Sequence, residues 1–300
     1  MTLPIISFND NPRAGVEIDR ALSSSGFLQL TDIGIDADLL DAVFLASEAF
    51  FDGPAESRRR SAYGSASENF GYQGVMEENL DPLAPADLKQ SFSMRNIIAQ
   101  PPADERWPSA SFRDLMQRLF AQALAAAHRI QREIAGTLGL ERDYFTRAHS
   151  GENVTLRLLH YPSSGIPDPE PSQMGAGAHT DYGFLTLLFQ RDVGGLQVAD
   201  KNGVWIDVLP RADAIVVNSG DLLECWTNGR YKSTLHRVVA KTGDRPRFSI
   251  AVFIDPDSAT IVEAVPSCVS EDMPARFAPT TAGEHLQSRL AASHKGRFAQ

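Results

Sequence analysis

The chain has 300 residues, 43% hydrophobic and 22% charged, enough apolar material for a large packed core. Lys plus Arg total 28 against 38 for Asp plus Glu, a net charge of −10, and no basic run longer than three residues is present to neutralise phosphates, so nucleic acid is not an expected partner. The two cysteines, Cys225 and Cys268, form no CxxC, which excludes zinc-ribbon and thioredoxin-type motifs, and no apolar window approaches a membrane span.

At the amino terminus, residues 4–8 read as a short strand without the basic flank and long apolar stretch of a signal peptide. With so few cysteines, the expected setting is the reducing cytoplasm. Residues 26–30 form a second apolar run after a Ser-rich turn, and Leu40, Val43, Phe44, Ser47 and Phe51 follow helical spacing. Residues 61–87 are rich in Gly, Ser, Glu, Asn and Pro and predict a long loop. Within it, Glu77, Glu78 and the Asp81-Pro82 turn read as solvated or as part of a lid. Residues 110–138 predict a helix, with Ser111 and Asp114 in capping-box spacing. Its apolar stripe, from Phe112 through Leu119 and Ile130 to Leu138, suits packing on the back of a sheet.

From Val154 the pattern changes to short apolar runs divided by Gly, Pro and Asp. Strands are expected at 155–161, 184–190, 196–199, 205–208, 214–218, 234–239 and 248–254, with a hairpin turn at Asn202-Gly203. This spacing predicts a sandwich or barrel, a mainly β fold with flanking helices. Thr281 and Glu284 open a last helix, 281–292. Residues 1–105 thus read as a mixed α/β region packed on a core formed by 106–300, the two making one compact unit.

Among the seven histidines, His128 reads as a packing or surface residue of the long helix, His149 and His294 as solvated, and His285 as part of the last helix. His179-Thr180-Asp181 differs: an imidazole and a carboxylate two apart share one side of an extended segment. A distant histidine, His236, can complete a set of two His and one carboxylate, which occupies one face of a ferrous ion and leaves the opposite positions open. Arg247-Phe248-Ser249 follows, and its arginine and serine can hold a carboxylate that reaches the same metal. H-x-D alone is common by chance; the order H-x-D, H, R-x-S is specific.

The stretches His179-Thr180-Asp181-Tyr182-Gly183, Gly194-Gly195-Leu196-Gln197-Val198, Val217-Asn218-Ser219-Gly220-Asp221, Ser233-Thr234-Leu235-His236-Arg237-Val238 and Arg247-Phe248-Ser249 resemble the isopenicillin N synthase-like branch of the iron(II)- and 2-oxoglutarate-dependent oxygenases. Pro4-Ile5-Ile6 and Gly26-Phe27 extend the likeness to the amino-terminal part. The resemblance implies a double-stranded β-helix, or jelly-roll, core. It implies that His179, Asp181 and His236 bind Fe(II), and that Arg247 and Ser249 bind the far carboxylate of 2-oxoglutarate. Tyr161 matches the tyrosine of a family Asn-x-Tyr motif that also reaches the cosubstrate; the asparagine position is Leu159. The implied reaction consumes O2, converts 2-oxoglutarate to succinate and CO2, and by default hydroxylates a small-molecule substrate. Imidazole and carboxylate suit ferrous iron, and the planar fork of arginine suits a carboxylate.

Two rivals stay open on the sequence: an iron oxidase of the same family that needs no 2-oxoglutarate, and a barrel that binds a small molecule without catalysis. Trp226 reads as a core residue or a pocket wall, Asp221 as fixing a turn, and Arg95 as a residue that could meet a substrate acid. Strand alternation over 155–161 puts Arg157, Leu159 and Tyr161 on one face and Leu156, Leu158 and His160 on the other. If Tyr161 points to the cosubstrate, Arg157 points inward too. It is then either paired with an acidic side chain or in contact with the 2-oxo acid or an acidic substrate.

Overall fold

The computed structural model describes residues 2–81, 83–165, 169–170, 172–240 and 244–293. Pro82 and His294 lie outside them. The amino-terminal third contains β1 (Ile5–Ser7), α1 (Ala14–Ser24), β2 (Phe27–Thr31), α2 (Ala37–Asp52), α3 (Ala55–Arg60), β3 (Phe70–Gln73) and β4 (Gln90–Arg95). The long helix α4 (Ala110–Thr137) leads to β5 (Thr155–Tyr161), β6 (Ala176–His179), β7 (Leu185–Gln190), β8 (Leu196–Ala199), β9 (Trp205–Asp207) and β10 (Ile215–Ser219). Then come α5 (Asp221–Trp226), β11 (His236–Val238), β12 (Arg247–Ile254), β13 (Ile261–Val262), β14 (Thr280–Thr281) and α6 (Ala282–Ser293).

Among the described residues, eight strands make one sheet in the order β1-β2-β10-β7-β12-β5-β4-β3, and β6-β11-β8-β9 make a second. Facing each other, they form the jelly-roll core. Strand alternation divides the large sheet's side chains cleanly. One face carries Leu28, Leu187, Ile250, Val252, Leu156, Leu158 and Phe92, which pack under α1, α2 and α4 in the main core. The other face looks into the barrel. There the smaller apolar cluster of Phe27, Leu159, Tyr161, Val198, Val216 and Ala251 joins the two sheets.

Several expectations change. Residues 61–87 are not all loop: β3 lies among them and pairs with β4, Tyr72 opposite Phe92. The cap of α4 is Ser109, whose hydroxyl accepts from Phe112 N at 3.1 Å; Ser111 only bonds to Ser109. The last helix is capped as expected: the Thr281 hydroxyl donates to Glu284 Oε2 (2.9 Å) and accepts from Glu284 N (3.2 Å). His149 is fully buried, not solvated, with its ring against Phe184 and Trp226. Its Nδ1 donates to Phe145 O at 2.7 Å, and burial pushes its pKa down to about 4. Trp226 is a core residue. No helix among the described residues is long and apolar enough to cross a membrane.

Candidate active site

His179 ends β6, and His236 opens β11. The two strands pair antiparallel with His236 directly opposite His179, so the register sets the two imidazoles side by side, ring centroids 4.2 Å apart. That pairing is irregular, with a register shift between His236 and Val238. The chain leaves β6 after His179, and Asp181 turns into the same space: its Oδ1 lies 3.8 Å from His179 Nε2 and 3.6 Å from His236 Nε2. The three ligand atoms all lie within 4.8 Å of one another, a group that could hold one metal ion.

The neighbouring bonds orient every donor toward that point. His179 Nδ1 donates to Gly177 O (2.7 Å) and His236 Nδ1 to Thr234 O (3.1 Å), which leaves both Nε2 lone pairs facing inward. Asp181 Oδ2 accepts from Thr186 Oγ1 (2.5 Å) and Asn218 Nδ2 (2.7 Å), so Oδ1 stays free. Thr186 and Asn218 are cross-strand partners on the inner face of β7 and β10. Burial pushes the His179 pKa down to about 3, and His236 beside it adds to the effect. Burial works against ionisation of Asp181, but the two histidines and the two hydrogen bonds outweigh it and keep the carboxylate below its usual range. A neutral imidazole at His179 beside an ionised carboxylate is the protonation state a ferrous ion requires.

Deeper in the barrel, β12 and β5 run antiparallel with Arg247 opposite Tyr161 and Ser249 opposite Leu159. Arg247 is fully buried. Its Nη1 donates to Ser249 Oγ (3.0 Å), its Nη2 to Gln190 Oε1 (2.9 Å), and its guanidinium lies 4.8 Å from the centre of the Tyr161 ring. Nε has no hydrogen-bond partner, and no carboxylate pairs with the guanidinium among the described residues. Burial pulls its pKa down. A buried cation without a counter-ion is costly, and a bound dicarboxylate would supply the missing charge.

Arg157, two residues before Leu159 and on the same face of β5, meets the acidic partner foreseen for it. Its Nη2 donates to Glu78 Oε2 (2.6 Å) and Ser91 Oγ (2.8 Å). Glu78 also pairs with buried Lys89 at 3.0 Å, and Lys89 contacts Asp87. Glu78 is therefore buried and ion-paired, which corrects the solvated-loop reading; Glu77 beside it is exposed. Burial opposes Glu78's charge, yet Arg157 and Lys89 hold it well below the carboxylate range. Asp87 in turn accepts from Gly177 N (2.8 Å), the residue whose carbonyl orients His179.

Beside His179 and Asp181 opens a cavity of about 730 Å³, open solvent at its mouth included. His179, Asp181 and Arg157 form part of its wall, with Arg95, Phe253 and Asp255 beyond them. Leu286 and Leu290 of α6 close one side. That helix is tied to the ligand loop: Arg289 Nη2 donates to Thr180 Oγ1 (3.0 Å) and pairs with Asp221 (3.3 Å), while its guanidinium lies 4.7 Å from the centre of the Tyr182 ring. Asp221 does more than fix a turn, since it also accepts from Ser233 (2.6 Å) and faces His285 at 3.7 Å. Sequence reasoning did not single out Thr186, Gln190 or Asp255. The available signal was a polar residue on the inward phase of an otherwise apolar strand.

A jelly-roll barrel with two histidines and an aspartate at its mouth and an unpaired guanidinium inside is the frame of a non-haem iron oxygenase that draws on an organic acid. Residues 152–256 match the model of the 2OG-Fe(II) oxygenase superfamily, and residues 3–121 that of the non-haem dioxygenase amino-terminal region. A 2-oxoglutarate-Fe(II) type oxidoreductase of Emericella nidulans is 31% identical over 93% of this chain and 84% of its own length. A 1-aminocyclopropane-1-carboxylate oxidase of Oryza sativa is 36% identical over 90% and 84%. Crystal structures of a full-length Neurospora crassa protein, one in complex with alpha-KG and one with alpha-KG and thymine, superpose with a TM-score of 0.86 at 33% identity, covering 97% of this chain and 96% of that one. The chain belongs to the iron(II)- and 2-oxoglutarate-dependent oxygenases, in their isopenicillin N synthase-like branch. It is an oxidoreductase that acts on a small molecule with Fe(II), 2-oxoglutarate and O2.

Proposed function

We propose that His179, Asp181 and His236 hold the ferrous ion, that Arg247 with Ser249 and Tyr161 anchors the distal carboxylate of 2-oxoglutarate, and that a small substrate in the adjoining cavity is hydroxylated. The observation that carries this reading is the division of labour at Asp181: Oδ2 is consumed by Thr186 and Asn218 while Oδ1 faces the two free Nε2 atoms.

Ferrous iron, when bound, supplies the oxygen chemistry, with 2-oxoglutarate giving up CO2 to become succinate. The chain's own residues bind and orient. Gly177 O and Thr234 O fix the imidazole tautomers. Arg247 presents a fork already braced by Ser249 and Gln190, so little ordering is left for the cosubstrate to impose. The apolar inner cluster around Tyr161 keeps the far carboxylate dry, which strengthens its pairing. Arg157 keeps its Nε unpartnered, and on this reading it steadies the 2-oxo acid or an acidic group of the substrate. The acidic balance of the chain favours a free small molecule over nucleic acid, and two free cysteines suit a cytoplasmic setting.

The test is iron content and succinate release measured together. His179→Ala and Asp181→Ala should each lose iron and abolish 2-oxoglutarate turnover. Full iron occupancy with unchanged turnover in His179→Ala would sink the ligand assignment. Oxygen uptake without succinate would instead favour an oxidase that places a substrate acid on Arg247.

A further inference from the structure

Most charge on the cavity wall is accounted for. Glu78 is shared by Arg157 and Lys89, and Asp181 belongs to the ligand group. Two charges remain, Arg95 and Asp255. Arg95 ends β4 opposite Thr155, and Thr155 stands opposite Phe253 on β12, so Arg95 and Phe253 lie at the same end of the barrel on its inner face. Asp255 follows Phe253 by two residues and shares that wall.

Among the described residues neither charge has a counter-ion in contact. Arg95 donates one long bond, Nη1 to Ser67 O at 3.3 Å, and its buried Nε has no partner. The Asp255 carboxylate accepts no hydrogen bond from the described residues, and no ion pair joins it to Arg95. It is nonetheless closely fitted: a Cβ on Gly183 would overlap it. Burial pushes Asp255 up to about 7, with Arg95 pulling against and Asp181 adding to the shift. Both residues are half-buried, polar groups partly withdrawn from water without partners are costly, and two of opposite character facing one cavity define a complementary guest. Leu80, Phe253, Leu286 and Leu290 supply an apolar lining around them.

We propose that Arg95 and Asp255 select the substrate, a compact molecule with an apolar body that turns an N–H donor to Asp255 and, beside it, a carbonyl or carboxylate oxygen to Arg95. This rests on the reading that the metal sits on His179 and Asp181, which makes the cavity the substrate side. A neutral cyclic amide and a zwitterionic amino acid share this donor–acceptor pair.

Two matched probe pairs separate them: 2-piperidone against N-methyl-2-piperidone, and L-leucine against 4-methylpentanoate, each second member lacking the N–H. They are titrated calorimetrically into protein carrying manganese and 2-oxoglutarate, where no turnover occurs. At least one N–H member should bind about tenfold or more tightly than its partner, the scale of one hydrogen bond to a charged group. The pair that does so identifies the source. Asp255→Ala should erase that preference, and Arg95→Gln should weaken both members. No preference in either pair, or a preference that survives in folded Asp255→Ala, overturns the proposal. The wild-type preference stands as evidence even if a variant fails to fold. Binding of 2-oxoglutarate to the same manganese-loaded wild type tests the cosubstrate reading separately, so the two failures are distinguishable.

Discussion

At Arg247 a single side chain joins fold and chemistry. It is fully buried on a strand, yet its hydrogen bonds go to neutral partners, Ser249 and Gln190. Arg247→Lys should weaken 2-oxoglutarate binding by about 1.5–3 kcal/mol, because a point charge replaces a two-pronged fork; an unchanged affinity in calorimetric titration would count against the cosubstrate role. The candidate ligands, Arg247 and Ser249 were legible because their order along the chain is itself a pattern. Thr186, Gln190 and Asn218 were not singled out, since a lone polar residue in an apolar run looks like a strand end until its neighbours fix which phase faces inward. His149 was misread for the opposite reason. Its sequence neighbours are polar, and only packing against Phe184 and Trp226 reveals its burial.

The charges around Glu78 form one ion cluster on β5 and the loop between β3 and β4. Glu78 serves two cations, Lys89 and Arg157. Glu78→Gln leaves both with less compensation, and should destabilise by about 3–5 kcal/mol, the cost of breaking a buried pair from one side. Arg157→Leu leaves Glu78 still paired with Lys89 and should cost less. Urea midpoints of the two variants check the order; a larger loss in Arg157→Leu would contradict it. Seven barrel strands were legible as short apolar runs divided by Gly, Pro and Asp, and α6 from its capping box, but the short Gly- and Ala-rich strand β6 was not among them. Helix α1 was not legible either, because Arg13, the residue at its cap position, makes no side-chain cap and gives no start signal. The start of α4 was read correctly, but the rule that found α6 chose the wrong cap there: Ser111 has the acidic residue three later, Asp114, while the serine that bonds to the helix is Ser109.

For the whole molecule, two buried imidazoles make stability depend on pH. His149 Nε2 and His160 Nδ1 have no partner, and burial pushes both residues down to about 4; His128 adds to the shift at His149, and Asp52 partly opposes it at His160. Unfolded chains take up these protons near pH 6.5, folded ones only near 4. Stability is therefore full above about pH 6.5 and falls as pH drops toward 4, by about 2 kcal/mol per histidine at pH 5. Equal melting temperatures at pH 7.5 and pH 5 would contradict this. The two edges of the large sheet, β1-β2 and β4-β3, both come from residues 1–105, and we propose that the chain folds as one unit. A 106–300 fragment should then fail to give a cooperative melt, because β10 and β5 would each lose a partner strand. The cross-strand pairing of His179 with His236 has a mechanical consequence. In the short, irregular β6–β11 ladder, an ion held by both histidines would act as a rivet through the smaller sheet. Stripping it with a chelator should speed amide hydrogen exchange at residues 176–179 and 236–238 while leaving β5, β7 and β12 protected. Equal protection in the metal-free and metal-loaded protein would mean that the ladder holds without its rivet.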